Sequence, residues 1–137
     1  MTPEIQAFAS GFPLTLLHAG VSLLMLTLGS VVYALLSPYK EIDLIRQGNA
    51  AGSISFGGVV IGLAIPLAVS LSASPTVLEV VVWGLAVTAV QLLLFRLTDL
   101  ALRGLPDRIR EGDVSAVGLL AAGRLATALL LAAAVAG

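Results

Sequence analysis

The chain has 137 residues, 58% of them hydrophobic and 11% charged, with a mean hydropathy of +1.07. A soluble domain carries about 25% charged residues, and a water-surrounded core of this size cannot hide so much apolar surface, so a bilayer is the expected solvent. A net charge of −1, no cysteine and a single histidine, His18, exclude a nucleic-acid surface, thiol chemistry, disulfides and a multi-histidine metal site; no cofactor and no metal are expected.

Residues 1–10 contain no Lys or Arg and carry Glu4. They lack the basic start of a cleavable secretory signal, so the apolar run that follows reads as a retained first span. A spanning helix needs about 20 apolar residues. Four segments qualify: 12–37, 53–72, 77–100 and 114–136. Ser37-Pro38, Ser74-Pro75 and Gly104-Leu105-Pro106 punctuate the breaks. The expected fold is an all-α integral membrane protein in one membrane domain. Its four helices form two tandem hairpins of the same orientation, over about 12–73 and 77–136.

The basic residues set the orientation. Lys40 and Arg46 follow the first span, and Arg96, Arg103, Arg108 and Arg110 lie in or beside the loop after the third. Arg124 alone lies inside a span, the fourth. Lys and Arg accumulate on the cytoplasmic side, so both basic loops are expected there and both termini outside. A bias this uniform argues against a dual-topology antiparallel dimer.

A shift of 64 residues aligns the two halves. Ile45-Arg46-Gln47-Gly48-Asn49 falls on Ile109-Arg110-Glu111-Gly112-Asp113, Asp43 on Asp107, and Gly20 on Gly84. Two spans per unit return the chain to its starting side, so the units share one orientation. The pentapeptide suits a short interfacial helix with Ile42 and Ile45 on its apolar face. Gly48 and Gly112 can end it in the left-handed conformation, and Asn49 and Asp113 can cap the spans that follow. Arg46 and Arg110 would sit at phosphate depth as headgroup anchors. A capped hairpin explains these residues structurally; headgroup recognition or partner docking is the functional alternative.

The second span holds Gly57, Gly58, Gly62 and Pro66. The Gly58/Gly62 step allows close approach of another helix, and Pro66 leaves the Gly62 carbonyl without its usual donor, predicting a kink. That kink serves either packing or a permeation site lined by opened backbone. Gly84 in the third span, and Gly118, Ala122 and Ala126 in the fourth, extend the small-residue theme.

Arg124 is the costliest residue. It lies ten residues past Val114, so its Cα is about 15 Å deep, where an arginine costs roughly 2.5–3.5 kcal/mol on insertion scales. Its side chain leans toward the helix N-terminus and can snorkel. Gln91 and Thr88 are expected at its depth, with a bond to Gln91 and Asp99 as charge partner if the helices are offset. Arg124, Gln91, Asp99, Thr88 and His18 are thus the candidate intramembrane polar site, either a satisfied interhelical bond or a solute or ion site. His18 reads as a partly wet interfacial histidine or a proton carrier. Trp83 fits the outer aromatic belt, Tyr33 and Tyr39 the inner one, and Glu79 a solvated position.

No metalloprotease, hydrolase or phosphate-loop motif is present, and no carboxylate pair is expected at one depth, so no enzyme is expected. The run from Gly48 to Ala68 (GNAAGSISFGGVVIGLAIPLA) and that from Val82 to Phe95 (VWGLAVTAVQLLLF) resemble the YjfL-like family of bacterial inner-membrane proteins. The resemblance covers nearly the whole chain, with Pro66, Trp83, Gly84 and Gln91 the family-like residues. It implies a four-helix inner-membrane protein and supplies no activity. The fourth span departs from the family pattern at Arg124 and at Leu131-Ala132-Ala133.

Two functional readings follow. One is a non-enzymatic membrane component that oligomerises with itself, or docks a membrane-associated protein, through small-residue faces and basic loops, with lipids as its other partners. The other is a small homo-oligomeric channel or transporter for an ion or polar solute. Against the second, the chain lacks the first-span carboxylate of small four-helix exporters and the polar signature of small fluoride channels.

Overall fold

The computed structural model describes residues 2–37, 40–102 and 104–137. Four long helices form the membrane bundle: α1 (Pro3–Leu36), α3 (Ala50–Ala73), α4 (Val77–Ala101) and α6 (Val114–Ala136). Two single-turn-and-a-half helices, α2 (Glu41–Arg46) and α5 (Leu105–Arg110), lie at one end. All four long helices are apolar and long enough to cross a membrane. Tyr39 and Arg103, expected at the inner belt and in the basic loop, lie outside the described residues.

The first helix starts nine residues earlier than the apolar run suggests. Thr2 caps it, its Oγ1 accepting from the Ile5 N–H at 3.4 Å, and Pro3 takes the first turn, where its missing N–H costs nothing. At 34 residues α1 is about 50 Å long, well beyond a hydrocarbon core of about 30 Å. Its N-terminal part is exposed along its whole circumference, with the Phe8 and Phe12 rings stacked 4.8 Å apart. Pro66 is buried, and α3 is helical on both sides of it.

The two short helices end alike. The chain enters α2 and α5 through Lys40 (φ 50°) and Gly104 (φ 86°), and leaves them through Gly48 (φ 79°) and Gly112 (φ 83°). A left-handed residue at this place turns the chain into the next span, and glycine adopts it without strain. The Asn49 N–H then returns to the Leu44 carbonyl and that of Asp113 to the Arg108 carbonyl, each at 2.9 Å. The Asn49 side chain accepts from the Gly52 N–H at 3.1 Å, and Asp113 accepts from Ser115 and Ala116 at 3.0 and 3.3 Å. Asn49 does more than cap: its Nδ2 donates to the Ile109 and Arg110 carbonyls at 3.3 and 3.2 Å, tying α3 to α5. Asp113 pairs with Arg108 at 2.6 Å, which holds its carboxyl below the usual aspartate range. Arg46 and Arg110 are exposed at this end.

Helix α3 is the most enclosed and shares its broadest contact with α6. Without a hydrophobic driving force between helices in lipid, close packing must hold them. Gly58 lets α6 approach: a Cβ there would lie 3.4 Å from Ala121 Cβ. At Gly62 it would lie 2.9 Å from Phe95 Cζ, and at Gly84 it would overlap the end of Met25. A Cβ at Gly57 or Gly118, expected among the packing glycines, would meet no other element among the described residues within 4 Å, and Ala122 is exposed. Within a single chain these three therefore line no helix contact, because periodicity gives a common face without saying which face of the helix turns inward. On α6 the buried face is Ala116, Val117, Leu120, Arg124, Ala128 and Ala132.

Candidate functional site

The polar centre of the bundle forms around Arg124. Its Cα belongs to the middle of α6, but the side chain leans toward the α2/α5 end, as helical geometry directs. There the guanidinium is fully buried. Nη1 donates to the Ser55 carbonyl and to Ser55 Oγ, both at 2.8 Å. Nη2 donates to the Tyr33 hydroxyl and to Asp99 Oδ1, the latter at 3.2 Å. Glu41 Oε1 lies 3.8 Å from Nη2. It accepts instead from the Tyr33 hydroxyl at 3.1 Å and from Ser55 Oγ at 3.0 Å. The guanidinium lies 5.2 Å from the Tyr33 ring centre and 5.8 Å from that of Phe95. The two rings meet edge to face at 6.0 Å. Helices α1, α2, α3, α4 and α6 each send one or more side chains to this point.

Each element delivers its residue for a local reason. Tyr33 is one turn before the end of α1, and Ser55 lies in the second turn of α3. Glu41 opens α2, directly after the left-handed Lys40 that swings the short helix under the bundle. Asp99 lies in the last turn of α4. All four sit near the same end, within reach of an arginine that starts deeper.

This arrangement corrects several expectations. The Arg124 guanidinium does not bond to Gln91. Gln91 Nε2 faces the Arg124 carbonyl at 3.5 Å and Thr127 Oγ1 at 3.4 Å, a contact with backbone rather than with charge. Asp99 does pair with Arg124. Thr88 turns its methyl toward Gly29 on α1, and its hydroxyl has no partner among the described residues. His18 is half-buried on α1, outside the cluster, and its Nε2 also lacks a partner. Tyr33 is buried at 4% exposure rather than standing in an aromatic belt, whereas Trp83 is half exposed. A carboxylate pair does converge, Glu41 with Asp99, because α2 folds back beneath the spans.

Tyr33, Glu41 and Ser55 escape a reading by composition. A glutamate in a short loop helix looks solvated, and a serine or tyrosine in a span looks incidental. A signal existed in the 64-residue alignment. Tyr33, Glu41 and Ser55 fall on Leu97, Leu105 and Leu119, while Asp99 and Arg124 fall on Leu35 and Val60. Under that shift every member of the cluster stands opposite an apolar residue.

The cluster holds one guanidinium and two carboxyls. Burial pushes the Glu41 carboxyl above the usual glutamate range; Arg124 and the bonds from Ser55 and Tyr33 oppose this, and Asp99 adds to it. Glu41 Oε2 has no partner among the described residues. Asp99 alone can balance Arg124 when Glu41 is protonated. A carboxyl that binds its proton more tightly in the folded state stabilises fully below the ordinary glutamate value of 4.5. That contribution fades as the pH rises through the folded value. Unfolding in detergent, followed by circular dichroism, is therefore expected to show wild type losing stability relative to Glu41→Gln as pH rises from about 4 to neutrality. A difference that grows in the opposite direction would show that the carboxylate form is the favoured one.

The family model described as Domain of Unknown Function (DUF350) matches residues 7–135. Among curated relatives, the UPF0719 inner membrane protein YjfL of Escherichia coli (strain K12) is 28% identical over 97 residues, 71% of this chain and 72% of YjfL. The UPF0719 transmembrane protein YshE of Bacillus subtilis (strain 168) is 29% identical over 104 residues, 75% of this chain and 78% of YshE. No solved structure matches the chain.

Proposed function

We propose, from the premise that this chain belongs to the DUF350 family, that it is a non-enzymatic component of a bacterial inner membrane that works as an assembly of several copies. The observation that carries this reading is the division of labour on α6. Its one charge, Arg124, points inward and has its four Nη hydrogens taken up by Ser55, Tyr33 and Asp99. Its small residues Gly118, Ala122 and Ala126 point outward, exposed, at four-residue spacing. A stripe of this kind lets a second helix backbone come close, which is how helices associate in lipid. The inner-membrane location follows the name of the YjfL relative, and the basic residues after α1 and α4 support a cytoplasmic side for α2 and α5.

The chain has no cysteine, so single-cysteine crosslinking in native membranes is a clean test. Gly118→Cys and Ala122→Cys are expected to form disulfide-linked dimers on oxidation, and Leu85→Cys on the exposed face of α4 is not. Equal crosslinking at all three sites, or none at any, would remove α6 as the interface. The channel or transporter reading draws on one different observation, the convergence of Glu41, Asp99 and Arg124 within the bundle. In proteoliposomes, an ion or solute flux lost in Glu41→Gln would favour it over assembly alone.

A further inference from the structure

Arg96 stands apart from the buried cluster. It lies on α4 five residues before Ala101, about 7–8 Å in from the helix end at the standard rise. Its side chain is exposed and makes no hydrogen bond or ion pair with the described residues. The neighbouring Asp99 turns its carboxylate inward to Arg124, so it acts on Arg96 only through space and leaves the outward guanidinium without a hydrogen-bonded anion. An arginine at this depth on an outer face needs an anion, and the long side chain can rise to phosphate level to find one.

Beside it is a cleft between α1 and α4 with a volume of about 170 Å³, lined by Tyr33, Leu36, Ser37, Leu92, Leu93 and Arg96. Its walls are apolar and Arg96 marks its polar rim. One guanidinium beside a narrow apolar slot at the membrane boundary matches a molecule with a phosphate and a hydrocarbon chain. We infer that this cleft binds a phospholipid, its phosphate on the Arg96 guanidinium and one acyl chain against Leu36, Leu92 and Leu93. Tyr33 forms the inner wall, and its hydroxyl is the bridge between Arg124 and Glu41. A lipid in the cleft therefore abuts the side chain that ties α1 into the cluster. This site is separate from the α6 stripe and does not depend on self-association.

The test is lipid retention by the full-length protein reconstituted with phosphatidylglycerol, released into mild detergent and weighed by native mass spectrometry. Wild type is expected to carry a bound phosphatidylglycerol. In Arg96→Gln the lipid-bound fraction is expected to fall about tenfold, the worth of one charge-assisted contact. Leu93→Trp, which fills the slot and keeps the charge, is expected to lose the lipid as well. Arg96→Lys is expected to retain part of it, and Arg108→Gln, at the exposed Arg108–Asp113 pair and outside the cleft lining, all of it. Phosphatidylethanolamine is expected to bind, since the phosphate is the recognised group, whereas glycerol phosphate without acyl chains is not expected to compete. Unchanged retention in both Arg96→Gln and Leu93→Trp, an equal loss in Arg108→Gln, or displacement by glycerol phosphate would each overturn the assignment.

Discussion

Replacing Arg124 by leucine is expected to cost about 3–5 kcal/mol of stability. The loss does not come from the arginine's own contacts alone. Arg124 is fully buried, and Glu41 and Asp99 are 2% and 7% exposed. Without the guanidinium two carboxyls share a dry space with no cation, and Ser55 and Tyr33 lose the group that holds them in place. Lysine is expected to rescue little, because an ammonium cannot fork between the Ser55 carbonyl on one side and Tyr33 and Asp99 on the other. The triple variant Arg124→Met, Glu41→Gln, Asp99→Asn is expected to recover most of the loss, since exchanging a whole buried ion set for neutral groups is far cheaper than orphaning part of it. Reversible unfolding in mixed detergent micelles, followed by circular dichroism, measures all three. A neutral Arg124→Leu would mean that the cluster does not hold the helices together.

Gly62→Val is expected to cost about 1–3 kcal/mol or somewhat more, from overpacking where the neighbour cannot retreat. The first atom added would lie 2.9 Å from Phe95 Cζ and 3.6 Å from the Arg124 carbonyl oxygen. Phe95 is wedged by the Tyr33 ring at 6.0 Å and the guanidinium at 5.8 Å, so moving it disturbs the cluster. The effects of Gly62→Val and Arg124→Leu are therefore expected not to add, because both act through Phe95. Gly57→Ala is the control. It faces open space, so its effect is expected within about 0.5 kcal/mol of zero, with helix propensity on its side. Equal losses at Gly57 and Gly62 would mean that α3 tolerates no side chain on either face, and the close approach at Gly62 would lose its meaning.

Much of the architecture was legible along the chain. Apolar runs long enough to span lipid can only be helices there, since every backbone polar group must be satisfied within the segment. The breaks were marked by proline and glycine. The single charge inside a span identified Arg124 as the residue around which the interior must be arranged, and helical geometry gave the direction in which its side chain leans. Asp99 could be named because it lay on that path.

What the chain order could not give was the rotation of each helix about its own axis. Gly58 and Gly118 look alike in sequence, yet a Cβ at the first would touch α6 and a Cβ at the second would meet no other element among the described residues. Near-uniform hydrophobicity leaves no polar face to announce the outside, so only the fit between helices decides. Glu41 was hidden for a related reason. Its place in a short loop helix reads as wet, and it becomes buried only because Lys40 turns α2 beneath α1 and α3. Length and apolarity therefore determined the number of the spans and their approximate place, which depend on local chemistry. The partners of Arg124 were set by tertiary structure, because they depend on where five separate helices come to rest.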